Sequence, residues 1–542
     1  MQLFHAFAIT NTIVLGLTIL MAASCRIVHI TFKQCLALFA AILPAALHFW
    51  VSDLTSLWQA IFWILLVMGL WFLYISAQSW ATKLFHEAWL FVLLILLANL
   101  ASIHALLQNY SLSLIQLPGP IQIFQPPGYG QPYGGPFNQR NLLGLLLLMG
   151  IAAAWTRFAL GEATIWLLAS IFPAAIVLAS GGRTSLALLA LLVLICIWVS
   201  SRRWRFLLGI AACLAMAGLL SFYLSQLGEV VPPSTLERLQ AFSQSGGADP
   251  RLLIWASCVE LWLQHPALGI GPGQIISHFL EGQALALAQW PALTAYTDSV
   301  RGGNLWAHNW LLHLLTEQGV LGLCIWLSIL GPFFIRAIRH VIQRDSGYVL
   351  PSVILLFTAA SGLLNVSYGQ VYFLTWATLA MGALRANELT ERSYRIVQFT
   401  GIIFASVIIV LGVRATQIQY NLELNASKPL RSDAFIKTFA RGIENPITAR
   451  PALYWYFVRL WNQRAPSHIW IRSEALARRF WGLYQYDGSL RVNMVVSHLK
   501  QDWISEQKWI RLFLAAYPAS EASGRLNHHL TRGHENGEPI EP

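Results

Sequence analysis

Ala88-Trp-Leu-Phe-Val-Leu-Leu-Ile-Leu-Leu-Ala-Asn-Leu-Ala-Ser-Ile-His-Ala-Leu-Leu107 is an apolar run about as long as the roughly 20 residues a helix needs to cross the hydrocarbon core of a bilayer. Thr184 to Ser200 is a second run of the same kind. Working outward, comparable segments recur near residues 7–23, 34–50, 56–77, 88–108, 139–156, 163–180, 184–200 and 206–225, and again near 310–334, 349–366, 371–387 and 398–414. About twelve closely spaced spans predict an all-α polytopic membrane protein and not a barrel. Composition agrees: 56% of the residues are hydrophobic and 11% charged, where a soluble domain carries about a quarter charged.

The connectors alternate in charge. Arg26, Lys33, Lys83, Arg157, the cluster Arg202, Arg203 and Arg205, then Arg336, Arg339 and Arg344, and Arg385, Arg392 and Arg395 fall on one side, which the positive-inside rule makes cytoplasmic. The other side, periplasmic by its shortage of Lys and Arg, holds residues 52–55, the Pro/Gly/Gln-rich stretch 117–136, the turn at 181–183, a long loop at about 226–307, and residues 365–370. A first span retained without a cleaved signal is expected, with the N-terminus periplasmic. The net charge of +11 is accounted for by membrane topology, so no nucleic-acid partner is expected. The six cysteines lack the paired spacing of a zinc site or disulfide framework and read as packing residues. After residue 415 the composition becomes that of a soluble helical segment, as in Tyr454, Trp455, Phe457, Val458 and Trp461. The expected division is a transmembrane domain, 1–415, and a periplasmic α-helical domain, 416–542, ending in a disordered tail from Gly533.

Loops as long as 226–307 are uncommon between spans and usually functional. Arg251-Leu-Leu-Ile-Trp255 places Arg251 and Trp255 one helical turn apart on one face. His265-Pro266 ends that helix, and Gly269-Ile-Gly271-Pro-Gly273 makes a tight bend. A second segment, Arg301 to Gly322, puts His308 at the mouth of the ninth span. A titratable imidazole there can accept a proton at neutral pH; an interfacial helix cap is the competing reading. Glu317 lies nine residues on, on the opposite face of a straight helix, and reads as packing or capping with Gly319 and Gly322. Arg183 follows a Gly-Gly turn into a span, facing the positive end of a helix dipole, which favours an accompanying anion; a snorkelling arginine is the alternative. Two arginines and a histidine on one membrane face suit a diphosphate substrate, since guanidinium groups grip phosphate oxygens. Gln139, Arg140 and Asn141, before another span, can hydrogen-bond sugar or phosphate, while Asn138 reads equally as a helix cap. No metal motif or carboxylate cluster occurs in the periplasmic loops, so metal-independent chemistry without a cofactor is expected.

These residues resemble the O-antigen ligase superfamily, which includes lipopolysaccharide O-antigen ligases, related polymerases and bacterial protein O-oligosaccharyltransferases of the pilin-glycosylating type. The resemblance rests on Arg183 after a small-residue turn, Arg251-x-x-x-Trp255 followed by Pro266-Ala-Leu-Gly269-Ile-Gly271-Pro-Gly273, and His308-Asn309 with Glu317-x-Gly319, over roughly 130–390. It implies that Arg183 and Arg251 hold the diphosphate of an undecaprenyl-linked glycan, that His308 activates the acceptor hydroxyl, and that Asn309 is a substrate-binding candidate. Gln139-Arg140-Asn141 and the C-terminal domain are similar to the protein O-oligosaccharyltransferase branch. That branch carries a His-Ser-Leu-Leu-Glu type segment where this chain has Ser361-Gly-Leu-Leu-Asn365, without histidine or carboxylate.

The expected activity is en bloc transfer of a glycan from undecaprenyl diphosphate to Ser or Thr of a periplasmic or pilin protein, at the bacterial inner membrane, with inversion. The alternative within the class is a ligase acting on lipid A core. A membrane transporter would also explain twelve spans, but should place charged or broken helices near mid-membrane.

Overall fold

The computed structural model describes residue 16, residues 32–51, 57–86, 88–109, 139–227, 249–300, 306–365, 371–385, 467–483, 485 and 487–518, and scattered positions between 406 and 465. Among these residues the regular structure is entirely helical. Among the described residues, seven helices precede the long loop: α1 (Phe32–Val51), α2 (Leu57–His86), α3 (Ala88–Asn109), α4 (Arg140–Ala159), α5 (Ile165–Ser180), α6 (Arg183–Val199) and α7 (Arg203–Leu227). The loop holds α8 (Arg251–Gln264), α9 (Ile275–Gln289) and a 3-10 helix, Pro291–Val300; α10 (Trp310–Gln343), α11 (Val349–Gly362) and α12 (Val371–Arg385) follow. Helices thus occupy the expected spans from 34–50 to 206–225 and from 310–334 to 371–387. Spans 7–23 and 398–414 lie almost wholly outside the described residues, as do Asn138 and the tail. Trp89–Leu107, Arg140–Ala159, Arg203–Leu224 and Trp310–Gln343 are long and apolar enough to cross a membrane, and shorter apolar helices pack among them.

α4 is the axis of one half of the bundle. From Leu142 to Ala159 every residue except Arg157 is buried, against α3, α5, α6, α7 and α11. Its glycines let neighbours approach, as small residues do in membrane bundles: a Cβ on Gly150 would lie 2.4 Å from the Ala98 Cβ, and one on Gly144 1.9 Å from Ser185 Oγ. In the other half α1 and α12 pack on α2, and α11 touches α4, α10 and α12.

Four more helices, α13 (Ser467–Arg472), α14 (Glu474–Leu483), α15 (Asp487–Leu499) and α16 (Trp503–Ala516), pack on the loop. Phe457, Leu460, Trp470 and Phe480 share a core with Ile276 of α9; Leu490, Phe513 and Tyr517 share one with Leu280. Gln485 donates its backbone N–H to Ile276 O at 2.9 Å and its side-chain amide to Glu281 Oε1 at 3.0 Å. Gln283 Nε2 donates to Ala516 O at 2.6 Å. α9 therefore belongs to both assemblies.

Candidate functional site

The glycine bend after α8 sets the frame. Gly269, Gly271 and Gly273 have φ of 72°, 109° and 75°, a region that residues with a Cβ avoid. The bend docks on a break in α10 at Gly319 (φ 65°, ψ −169°). Ile270 and Gly271 donate N–H to Thr316 O (3.0 Å) and Glu317 O (2.9 Å), while Val320 and Leu321 donate to Pro266 O (3.0 Å) and Ala267 O (3.2 Å). Contact is too close for side chains: a Cβ on Gly319 would lie 2.2 Å from Ala267 O, and one on Gly269 2.4 Å from the Glu317 carbonyl carbon. The Glu317 side chain, 2% exposed, completes the joint. Its carboxylate accepts the N–H of Gly273 at 2.7 Å and of Ile275 at 3.3 Å, and meets His313 Nε2 at 3.3 Å.

At the break α10 folds back. The Trp310 and Phe334 rings lie 6.2 Å apart, where a straight helix would separate the residues by about 36 Å. The span expected at 310–334 is therefore two limbs, a short one from Trp310 to Gln318 and a long one beyond Gly319. Asn309 starts the short limb, its Oδ1 accepting the N–H of Leu311 (3.0 Å) and Leu312 (3.1 Å). His308 stands just before it at φ 55°, a left-handed conformation uncommon outside glycine.

Arg183 and Arg251 are each the first residue of a helix, and Asp249 joins them. Asp249 Oδ2 lies 3.2 Å from Arg183 Nη2 and 3.9 Å from Arg251 Nη1, and Oδ1 accepts the Arg251 backbone N–H at 3.0 Å. Arg251 Nη2 also donates to Asn365 Oδ1 at 3.4 Å. Asn365 is fully buried, and its Nδ2 has no hydrogen-bond partner among the described residues. The neutral amide at the position that lacks histidine and carboxylate thus touches one of the two arginines. The segment Gln139-Arg140-Asn141 opens α4 beside the Gly181-Gly182 turn: a Cβ on Gly182 would lie 3.2 Å from Asn141 Oδ1.

Burial and the Arg251 guanidinium push the His308 imidazole down to about 4, against a smaller opposing pull from Asp249. His308 is therefore neutral at pH 7. Its Nδ1 is buried and makes no hydrogen bond among the described residues. Arg251 is lowered too, by burial first, but opposed by Asp249. Trp310 also lines a cavity of about 710 Å³ that is mostly apolar and includes Leu66, Trp71, Trp326, Phe333 and Leu374, with Arg336 and Arg385 among its lining. Among the described residues no group of three or more His, Cys, Asp or Glu could hold a metal ion.

Residues 168–327 match the family model for O-antigen ligase. That stretch is similar to the O-antigen ligase family. It contains Arg183, Asp249, Arg251 and His308, and leaves Gln139 to Asn141 and Asn365 outside. That family is one of glycosyltransferase-like enzymes, and the helices here that are long and apolar enough to cross a membrane accord with a helical membrane protein. Comparison with curated proteins finds no match. The residue that sequence reading passed over is Asp249. The signal was local: an acid-Pro pair ahead of a helix is a capping pattern, here Asp249-Pro250-Arg251.

Proposed function

We propose that the O-antigen ligase domain transfers a glycan en bloc from undecaprenyl diphosphate to a Ser or Thr hydroxyl of a periplasmic protein, a pilin being the expected type. The observation that carries this reading is the meeting of Arg183 and Arg251 at one carboxylate, within the electrostatic reach of a neutral His308. The acceptor oxygen attacks the anomeric carbon, and the bond to the diphosphate oxygen breaks with its electron pair leaving on the diphosphate. One displacement inverts the anomeric centre. The arginines stabilise the departing anion, which is an electrostatic task, and the acceptor proton passes to His308. A base held near 4 is weak, but a diphosphate seated on Arg251 offsets the cation that depresses it and raises the imidazole towards working pH. Donor binding thereby prepares the base. The apolar cavity reached at Trp310 suits a lipid-linked donor, and the helices packed on α9 offer a surface for a protein acceptor.

The test is reconstitution with an undecaprenyl-diphosphate glycan and two acceptors, a pilin and lipid A core. Transfer to the pilin, lost in His308→Ala and Arg251→Ala, supports the reading. Transfer to lipid A core alone assigns the acceptor to lipid, and full transfer by either variant removes the site assignment.

A further inference from the structure

The reading above leaves Asp249 without a role, although it pairs with both arginines. A single oxygen, Oδ2, faces both guanidinium groups at 3.2 and 3.9 Å. The other oxygen holds the start of α8 through the Arg251 N–H. The carboxylate thus joins two helix starts that lie 66 residues apart in sequence, each presenting the positive end of its dipole. A side chain serving only as a cap has no need to turn its second oxygen onto a distant arginine.

Charge then sets a conflict. Two guanidinium groups and one carboxylate sum to a single positive charge, whereas a doubly esterified diphosphate carries two negative charges. The diphosphate is matched by the two arginines only when the carboxylate has left them; with Asp249 in place the group is over-neutralised and like charges face each other at short range.

Resting on the assignment of Arg183 and Arg251 to the diphosphate, we infer that Asp249 is the competing anion of this site. Its carboxylate and the diphosphate of donor or product bind the same two guanidinium groups in turn. Asp249 sets the spacing of the arginines, gives way when the lipid diphosphate arrives, and returns to displace the spent polyprenyl diphosphate. It acts through the arginines and is a positioning residue. A residue of this kind weakens ground-state binding of both donor and product, and speeds turnover when product release is slow.

The experiment uses the full chain in nanodiscs and methylenediphosphonate as the probe, with affinity read by calorimetry and transfer kinetics read in parallel. Asp249→Asn keeps an oxygen for the Arg251 N–H and removes the charge; Asp249→Ser keeps a capping group with less bulk and guards against a fault peculiar to one variant. Both are expected to bind the probe at least 5-fold more tightly than the parent chain, with a steeper dependence on salt, and to lower KM for the donor while lowering kcat. A strut that merely orients the arginines predicts the reverse, weaker binding and a raised KM. Unchanged or weaker binding in both variants, or no binding of the probe by any form, overturns the proposal. Arg183→Ala and Arg251→Ala separate it from the reading on which it rests. Lost probe binding in these with no gain in the Asp249 variants sinks the competing-anion role alone. Parent-like binding in both arginine variants sinks the diphosphate site itself.

Discussion

Truncating Glu317 to alanine should unlock the joint between the glycine bend and α10. The carboxylate accepts two backbone N–H groups, at 2.7 and 3.3 Å, and faces His313 at 3.3 Å, with both side chains almost fully enclosed. Hydrogen bonds to a carboxylate contribute about 1.5–3 kcal/mol each, and the same carboxylate also faces the His313 ring nitrogen. These terms overlap, so about 3–5 kcal/mol is the expected total for Glu317→Ala. Glu317→Gln keeps the volume and one acceptor oxygen and should cost about 1–2 kcal/mol. In a thermal melt in detergent the alanine variant should fall on the order of 10 °C below the parent and the glutamine variant a few degrees. Transfer should fall with the alanine variant, because the short limb whose start carries His308 is tied to α8 and α9 through Thr316 and Glu317. A melt within about 2 °C of the parent together with undiminished transfer would refute the reasoning.

The remaining expectations concern pH and the backbone. His308 is lowered in the fold from the ordinary value of 6.5 to about 4, so folding favours its neutral form; this contribution to stability is complete above about 6.5 and is lost as pH falls towards 4. The acid limb of kcat/KM should accordingly lie well below 6.5, and a limb at 6.5 in a pH-rate series counts against the buried imidazole. Gly319→Ala should fail to give folded protein by size-exclusion chromatography, because φ is positive and the new Cβ meets the Ala267 carbonyl at 2.2 Å. Gly331→Ala, on the same helix with nothing within 4 Å, should elute and melt like the parent.

The helical character and the positions of most of the apolar helices were legible because apolar length alone reports them. Arg183, Arg251 and His308 stood out because charged or titratable groups at a membrane face are costly without a purpose. The fold-back at Gly319 did not show. Apolar periodicity continues on both sides of it, and a lone glycine inside a helical pattern is ordinarily tolerated at about 1 kcal/mol. What turns this glycine into a break is the bend at Pro266 to Gly273, some fifty residues away in sequence and visible only once the two are packed. Asp249 escaped for the same reason: its capping role is local, but its contact with Arg183 is not. The seating of the C-terminal helices on α9 rests on single residues, Ile276, Leu280 and Gln283, in a segment that reads alone as an ordinary amphipathic helix.

The fold-back also separates two mechanical tasks. As one rod, the 34 residues of α10 would extend about 51 Å, well beyond a hydrocarbon core of about 30 Å. Divided at Gly319, the long limb alone answers to the bilayer and can change its tilt when the lipid is thinner or thicker. The short limb answers to the loop helices that clasp it. The proposed site is thus mounted on a bracket outside the sliding part, and its alignment need not follow the acyl-chain length of the surrounding lipid.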